Sequence, residues 1–195
     1  MTVSAIETSR LRLVAPDARC LEHLLNGEDR EAAEALGIAL PAGLGASSEG
    51  LFRIRLADLR AAPAAQSWLL RLLAERNPPH RFIGFAGFHG PPDASGRVEV
   101  GYEVLPEHQR RGYALEAARG LLAWARDQGA MGFRAAIAVD NAASLGLADA
   151  LGFQSVGSRW DALNGTEMLL ELRADRLRTA AGDAKMDGHA GGGDG

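Results

Sequence analysis

The sequence predicts a mixed α/β fold, in which a mostly antiparallel, twisted sheet is flanked by helices. Two observations support this class. Strand-like segments follow one another from residue 68 to residue 104 with turns between them, as in an antiparallel meander. A helical segment and a further strand then follow, and this strand–helix–strand passage makes the class mixed. The 195 residues are enough for one domain of ordinary size and too few for two large ones.

The first third of the chain predicts a strand, a helix and a long loop. Arg10–Val14 alternates polar and apolar residues, as a half-buried strand does, and Pro16 closes it. Asp17 suits the N-cap of a helix whose leucines lie on one face. Ala39–Gly50 is rich in small residues and carries no period, so it is predicted to be a loop between two helical pieces. Loops of this length often contact substrate.

The middle of the chain predicts a meander and then a long helix. The strands are expected at Trp68–Leu73, Phe82–Phe88 and Arg97–Val104, separated by proline-containing turns. After Gly112, alanines and leucines recur at helical spacing, and Gly129 fits the left-handed residue at the end of this helix.

The last elements are a short strand, a helix and a hairpin. Ala135–Val139 is nearly all apolar, which is typical of a strand buried on both faces. A helix follows Asp140–Asn141 and stops at Gly152. Phe153–Trp160 and Thr166–Leu172 are predicted to pair as a hairpin that turns at Asn164–Gly165.

Composition sets the domain boundary and narrows the class of partner. Residues 1–175 are predicted to form the domain, and residues 176–195 a flexible tail rich in Gly, Ala and Asp, because such a segment cannot offset its ordering entropy. The formal charge of -4 gives no reason to expect a nucleic-acid partner. The single cysteine, Cys20, excludes an internal disulfide and suits the cytoplasm. The histidines lack metal-ligand spacing, and no apolar run approaches a membrane span, so neither a metal nor a membrane is expected.

The junction between the third strand of the meander and the long helix predicts an anion site. The strand ends near Val104 and the helix opens at Gly112, so unpaired backbone N–H groups and the positive end of the helix dipole converge there. Such a site suits a phosphate or pyrophosphate, and Arg110 and Arg111 add positive charge. An ordinary turn with solvated arginines is the alternative.

Two motifs here resemble those of the GNAT N-acetyltransferase superfamily. Gln109–Ala114 is similar to its Gln/Arg-x-x-Gly-x-Gly/Ala motif, and Asn141–Phe153 looks like its second signature at the usual distance. The opening Thr8–Leu13, together with Phe82–Gly84 and Val100–Val104, resembles the RimJ/RimL-type branch. The resemblance covers nearly all of residues 8 to 172.

The resemblance implies the GNAT fold, with a central parallel pair splayed between the strands that end at Val104 and Val139. Acetyl-CoA would lie in the gap as co-substrate and transfer its acetyl group directly to an amine, either a protein N-terminus or a small molecule. The backbone of three residues would pair with the pantetheine arm, namely Tyr102, Glu103 and Val104. The pyrophosphate would be held by the amides of Arg110, Arg111, Gly112, Tyr113, Ala114 and Leu115, and Gln109 is implied as a further cofactor-binding residue. Asn141 would bind the pantetheine or a nearby water, and a homodimer is compatible with the family.

The catalytic groups are predicted with alternatives open. Glu99 and Glu103 lie an even number of residues apart, so their side chains share a face, and Glu103 is nearer the motif and preferred as general base. Either carboxylate could instead be a solvated or structural residue. Ala148 stands where many family members carry a tyrosine acid, which leaves Ser144 as the candidate donor, although a serine there is often a helix cap. Unassisted release of the thiolate, or a non-catalytic acyl-CoA sensor or scaffold, are the other readings.

Overall fold

Eight strands form one sheet in the computed structural model, which describes residues 3–162 and 165–177. The strands are β1 (Ile6–Glu7), β2 (Leu11–Val14), β3 (Leu70–Glu75), β4 (Phe82–Phe88), β5 (Arg97–Val104), β6 (Gly132–Ala138), β7 (Gln154–Asp161) and β8 (Gly165–Arg173). Their order across the sheet is β1-β2-β3-β4-β5-β6-β8-β7. All neighbouring pairs are antiparallel except β5 and β6, which are parallel. The mixed class predicted from the sequence is therefore confirmed.

Six α-helices in the described part of the chain cover the sheet in two groups. They are α1 (Ala18–Leu25), α2 (Asp29–Leu36), α3 (Leu44–Ser47), α4 (Glu49–Ala61), α5 (Tyr113–Asp127) and α6 (Ala142–Leu151). Phe52 and Leu56 of α4 pack with Phe85 of β4 in one buried cluster, to which α1 to α3 also contribute. Leu121 of α5 and Val100 of β5 belong to a second cluster, which also includes residues of α6.

The side-chain alternation along β5 separates the two layers. Val98, Val100 and Val104 are buried in the cluster with α5. Glu99 and Glu103 occupy the alternate positions of the strand and therefore point to the opposite face. One strand thus presents apolar groups to α5 and carboxylates to the side of the sheet where α4 lies.

The pair β5 and β6 separates toward its carboxyl ends. Backbone pairing joins Arg97–Glu99 of β5 to Gly132–Arg134 of β6 and stops there, although both strands continue. Beyond that point residues 100–104 and 135–138 face a gap. The amino ends of α5 and α6 begin close after these two strands, so the gap opens toward two helix N-termini.

The loop predicted over Ala39–Gly50 is wrong in its second half, because Leu44–Ser47 is helical and α4 begins at Glu49. Tertiary packing decides this. A Cβ at Gly45 would lie 1.7 Å from the carbonyl oxygen of Leu24, so α3 approaches α1 at a distance that requires glycine. No periodicity within the segment reports that contact.

Other boundaries differ by a few residues. Trp68 ends a 3-10 turn, Pro63–Trp68, and packs against Trp124, while the strand begins at Leu70. β6 begins at Gly132, and its burial alternates, so the prediction of burial on both faces is wrong. β7 and β8 pair as the predicted hairpin, whose turn residue Asn164 lies outside the described residues. The same holds for residues 178–195 of the predicted tail.

Candidate functional site

A groove of about 550 Å³ lies between the end of β5 and the first turns of α5 and α6. Its walls are formed by Tyr102, Glu103, Val104, His108, Gln109, Arg110, Gly112, Tyr113, Ala114, Leu115, Asn141, Ala143, Ser144, Gly146, Leu147 and Ala150. Every site residue predicted from the sequence lines this groove except Arg111. The sequence analysis did not assign His108 or the small residues of α6 to the site. The helical spacing of those α6 residues could have indicated that they share one face of the helix.

The amino end of α5 supplies unpaired amides to the groove. The first backbone hydrogen bond of this helix runs from the amide of Glu116 to the carbonyl oxygen of Gly112 (3.1 Å), so the four preceding amides have no partner within the helix. Gly112 has φ +78°, which glycine adopts without strain, whereas Arg110 has φ +59°, which is uncommon for a side-chain-bearing residue. Unpaired amides, a left-handed turn and a helix dipole together make a site for an anion.

A carboxylate fixes the first turn of α5 to the start of the chain. Glu116 Oε1 accepts hydrogen bonds from the hydroxyls of Thr8 (2.7 Å) and Ser9 (3.0 Å) and from the amide of Arg10 (2.7 Å). Its Oε2 accepts from Arg10 Nε at 2.6 Å. Burial alone would raise the pKa of Glu116, but these hydrogen bonds lower it below the ordinary value. Glu116 is therefore held as a carboxylate.

Arg10 extends this connection into the turn that precedes α5. Its Nη1 donates to the carbonyl oxygen of Arg111 at 3.0 Å, and its guanidinium lies 4.7 Å from the centre of the Tyr113 ring. Arg111 is thus engaged with the chain start, whereas its neighbours line the groove. The sequence analysis assigned Thr8–Leu13 to the family pattern but gave the segment no structural role. The contact between residues 10 and 116 shows that this segment holds the first turn of α5.

Gln109 and Asn141 each make a bond that shapes the groove. Gln109 Nε2 donates to the carbonyl oxygen of Val104 at 2.9 Å, which ties the loop to the end of β5. Asn141 Oδ1 accepts from the amide of Ser144 at 3.0 Å, as an N-cap of α6. The cap uses the side-chain oxygen of Asn141, and its two N–H donors bond no other described residue.

The gap between β5 and β6 is continuous with the groove. A space of about 240 Å³ is lined by residues 100–102 of β5, residues 135–138 of β6, Asn141, Ser144 and Glu167. The hydroxyl of Tyr102 donates to the carbonyl oxygen of Ser144 at 3.5 Å. Burial raises the pKa of Tyr102, and this hydrogen bond opposes the effect. The phenol therefore keeps its proton at neutral pH, and two hydroxyl-bearing residues line the gap.

The side chain of Tyr102 lines the candidate site, although the sequence analysis assigned a role only to the backbone of this residue. Ala148, in contrast, is 3% exposed and packs in the core. Its position contributes no polar group to the groove or the gap.

A cleft of about 180 Å³ lies on the other face of β5, beneath α4. It is lined by Leu51, Arg55, Leu70, Phe85, Ala86, Gly87, Phe88, His89, Gly101, Tyr102 and Glu103. Glu103 lines both this cleft and the groove, and Gly101 lines both this cleft and the gap. The three spaces thus meet around residues 101–103.

The two carboxylates of β5 differ in their partners. Glu99 Oε1 lies 3.3 Å from His89 Nδ1 and 4.0 Å from Arg159. The hydrogen bond from His89 lowers the pKa of Glu99, and Arg159 adds to the effect. Glu103 is exposed, and its carboxylate has no hydrogen bond or ion pair with another described residue. Glu103 is therefore the carboxylate of the pair that is free to bind a ligand.

Within residues 3–162 and 165–177, no three His, Cys, Asp or Glu side chains are grouped in a way that would bind a metal ion. None of the helices described there has the length and apolar character needed to span a membrane.

Comparison with known proteins gives one family. Residues 10–154 match the family model described as an acetyltransferase (GNAT) domain. The curated relative YjdG of Bacillus subtilis, an uncharacterised N-acetyltransferase, is 30% identical over 124 residues, which are 62% of this chain and 71% of YjdG.

Solved structures share the fold over most of the chain. A protein from Bordetella pertussis described as a GnaT-family acetyltransferase is 26% identical, with a TM-score of 0.61 over 87% of this chain and 99% of that one. RimL, a ribosomal L7/L12 α-N-protein acetyltransferase in complex with coenzyme A, is 16% identical, with a TM-score of 0.62 over 89% and 99% of the two chains. At that identity the likeness to RimL concerns the fold.

Proposed function

The chain belongs to the GNAT acetyltransferase family, and we propose on this basis that it transfers an acetyl group from acetyl-CoA to a primary amine. The observation that supports the proposal best is the groove, where unpaired amides of α5 meet the open edge of β5. Both a protein N-terminus and a small molecule carry a suitable amine. The motif at Thr8–Leu13 favours the RimJ/RimL-type branch, and the cytoplasm remains the predicted location.

The proposed placement of acetyl-CoA follows from the chemistry of the three spaces. The amides at the start of α5 would hold its pyrophosphate, because a helix N-terminus binds anions. The backbone of Tyr102 to Val104 would pair with the pantetheine arm as an added strand. The reacting thioester would then lie in the gap, within reach of Tyr102 and Ser144.

Transfer requires two proton movements besides the exchange of bonds. The amine nitrogen forms a bond to the acetyl carbon, and the bond from that carbon to sulfur breaks. Glu103 is proposed to take one proton from the ammonium before attack, so that the neutral amine can react, because its carboxylate is unpaired and lies between the cleft and the groove. The hydroxyl of Ser144 or Tyr102 would give its proton to the departing thiolate and regain one from the nitrogen, which loses its second proton as the amide forms.

Thiol release with a panel of amines tests this function. Glu103→Gln should lower kcat/KM by about 100-fold or more, the contribution of a general base. Glu107→Gln is the matched control, because Glu107 is exposed and lies outside the three spaces. If Glu103→Gln and Glu107→Gln both retain wild-type kcat/KM, Glu103 is not the base.

The proton donor is tested with two single-hydroxyl deletions. Ser144→Ala and Tyr102→Phe each remove one hydroxyl, and loss of the donor should lower kcat by about 100-fold.

Binding of acetyl-CoA without thiol release for any amine would instead support a non-catalytic acyl-CoA sensor or scaffold. Sedimentation equilibrium tests whether the protein forms a homodimer, which the family resemblance allows.

A further inference from the structure

The cleft beneath α4 contains a buried guanidinium that the proposed reaction does not use. The side chain of Arg55 is 14% exposed and lines the cleft with Glu103. Its Nη1 donates to Asp58 Oδ2 at 3.0 Å, while its Nε is buried and has no hydrogen-bond partner. A buried donor without a partner is costly, and a guanidinium carries five N–H donors. The buried Nε is out of reach of a ligand in the cleft, but Nη2 makes no hydrogen bond with a described residue, so Arg55 retains a donor for an anion there.

His89, which also lines the cleft, is less suited than Arg55 to bind an anion. His89 is 56% exposed, and Glu99 lies 3.3 Å from its ring nitrogen, so a carboxylate already accompanies any charge on His89. The guanidinium of Arg55 presents its donors in a planar fork that matches a carboxylate.

The charges around Arg55 favour an anion of single charge. Asp58, 40% exposed, already offsets part of the guanidinium charge, and Glu103 adds a second carboxylate to the cleft. Arg55, Asp58 and Glu103 together are net negative, so this surrounding repels a dianion such as a phosphate ester more strongly than it repels a single carboxylate. Glu103 in turn suits the positively charged amino group of the same molecule.

The size and lining of the cleft fit the end of a small molecule with an apolar side chain. Its volume of about 180 Å³ is slightly larger than a cavity of about 150 Å³ that admits benzene. Leu51, Leu70 and Phe85 form apolar wall. Gly101, which has no side chain, lines both this cleft and the gap.

We infer that the acceptor is an amine that carries one carboxylate, of the size of an apolar amino acid. Its carboxylate binds Arg55 and its amino group lies at Glu103, facing the gap. This inference rests on the proposed acetyl transfer and narrows its acceptor. Arg55 is then a specificity-determining residue, and the reaction at the amine is unchanged.

Matched pairs of acceptors and variants test the assignment. Thiol release is measured with leucine against leucinamide and with 6-aminohexanoate against its amide, so that each pair differs in one carboxylate. The wild type should prefer the acid of at least one pair by about 10- to 100-fold in kcat/KM, the range for a charged hydrogen bond. Arg55→Gln should remove that preference by lowering kcat/KM for the acid, with the KM for acetyl-CoA unchanged.

Two further variants separate this role from a structural one. Arg53→Gln is the control on the same helix, since Arg53 is 67% exposed and pairs with Glu49, and it should retain the preference. Asp58→Asn releases the guanidinium and should lower the KM for the preferred acid, a gain that a damaged fold does not produce. Asp58→Asn and the wild-type preference also keep the test valid if Arg55→Gln fails to fold.

The outcomes distinguish the inference from the function on which it rests. Equal rates for acid and amide in the wild type, or equal losses for both with Arg55→Gln, overturn the role of Arg55 and leave acetyl transfer intact. A preference for peptides without a free carboxylate does the same and favours a protein N-terminus. Acetyl-CoA binding with no thiol release for any amine overturns the transferase function itself.

Discussion

Replacement of Glu116 by alanine should lower both the thermal stability of the protein and its affinity for acetyl-CoA. Four donors from residues 8–10 share this carboxylate, which is 15% exposed. Hydrogen bonds to a charged group contribute about 1.5–3 kcal/mol, and water can reach the partly exposed donors, so we expect a total loss of about 2–3 kcal/mol. At about 2–4 °C per kcal/mol, Tm should fall by about 4–12 °C.

Calorimetry checks this value with Glu34→Ala, Arg10→Ala, Glu116→Ala and the Arg10→Ala/Glu116→Ala double variant. Glu34→Ala is the control, because Glu34 is 68% exposed in its pair with Arg30 and should change stability by less than about 0.5 kcal/mol. Arg10→Ala and Glu116→Ala should be less than additive, since they remove the same contact. An equal Tm for Glu34→Ala and Glu116→Ala would refute the reasoning.

The pH dependence of the same contact has a definite sign. The folded protein holds the pKa of Glu116 below its ordinary value, so the unfolded chain binds more protons in that range. The stability contributed by Glu116 is therefore present above its unfolded pKa and is lost as the pH falls through the folded pKa. Unfolding by urea between pH 6 and pH 3 should show a steeper loss for the wild type than for Glu116→Ala.

Three other positions give independent tests. Gly112→Asp, which places a carboxylate on a left-handed residue beside the proposed pyrophosphate, should raise the Kd for acetyl-CoA at least tenfold by calorimetric titration, and Gly112→Ala should raise it less. Burial raises the pKa of Cys20 to about 12, so its thiol should react with a disulfide reagent after unfolding and not before, and stability should fall as the pH rises above about 9. Arg71 is fully buried against backbone carbonyl oxygens and Trp124, and burial lowers its pKa to about 10. Alanine would leave a cavity that methionine largely fills, so Arg71→Ala should destabilise the protein more than Arg71→Met, as measured by urea unfolding.

The sequence alone predicted the elements whose signal is local. The alternation along Arg97–Val104 and the helical spacing after Gly112 each arise within one element, and both appear in the structure. The motif at Gln109–Ala114 predicted unpaired amides at this position because they follow directly from a strand–turn–helix junction. Local pattern therefore gave the class of fold and the residues that line the groove.

The contacts that join distant parts of the chain could not be predicted in this way. Helix α3 exists because Gly45 packs against the backbone of Leu24, which no property of the segment reveals. Glu116 meets Arg10 across more than 100 residues. Arg55 lines the same cleft as Glu103 because α4 packs over the sheet, a relation that the local sequence does not show. Such pairs depend on topology, and so does the chemistry of the acceptor.

The measurement that tests the central claim most directly is the thermal midpoint of the protein with and without acetyl-CoA, with ATP as the control. Acetyl-CoA at about 100 times its Kd should add roughly 2.7 kcal/mol, which corresponds to a rise of about 5–11 °C. We expect that rise with acetyl-CoA, little or none with ATP, and a much smaller one for Gly112→Asp. An unchanged midpoint at saturating acetyl-CoA would contradict the claim that the groove at the start of α5 binds this co-substrate.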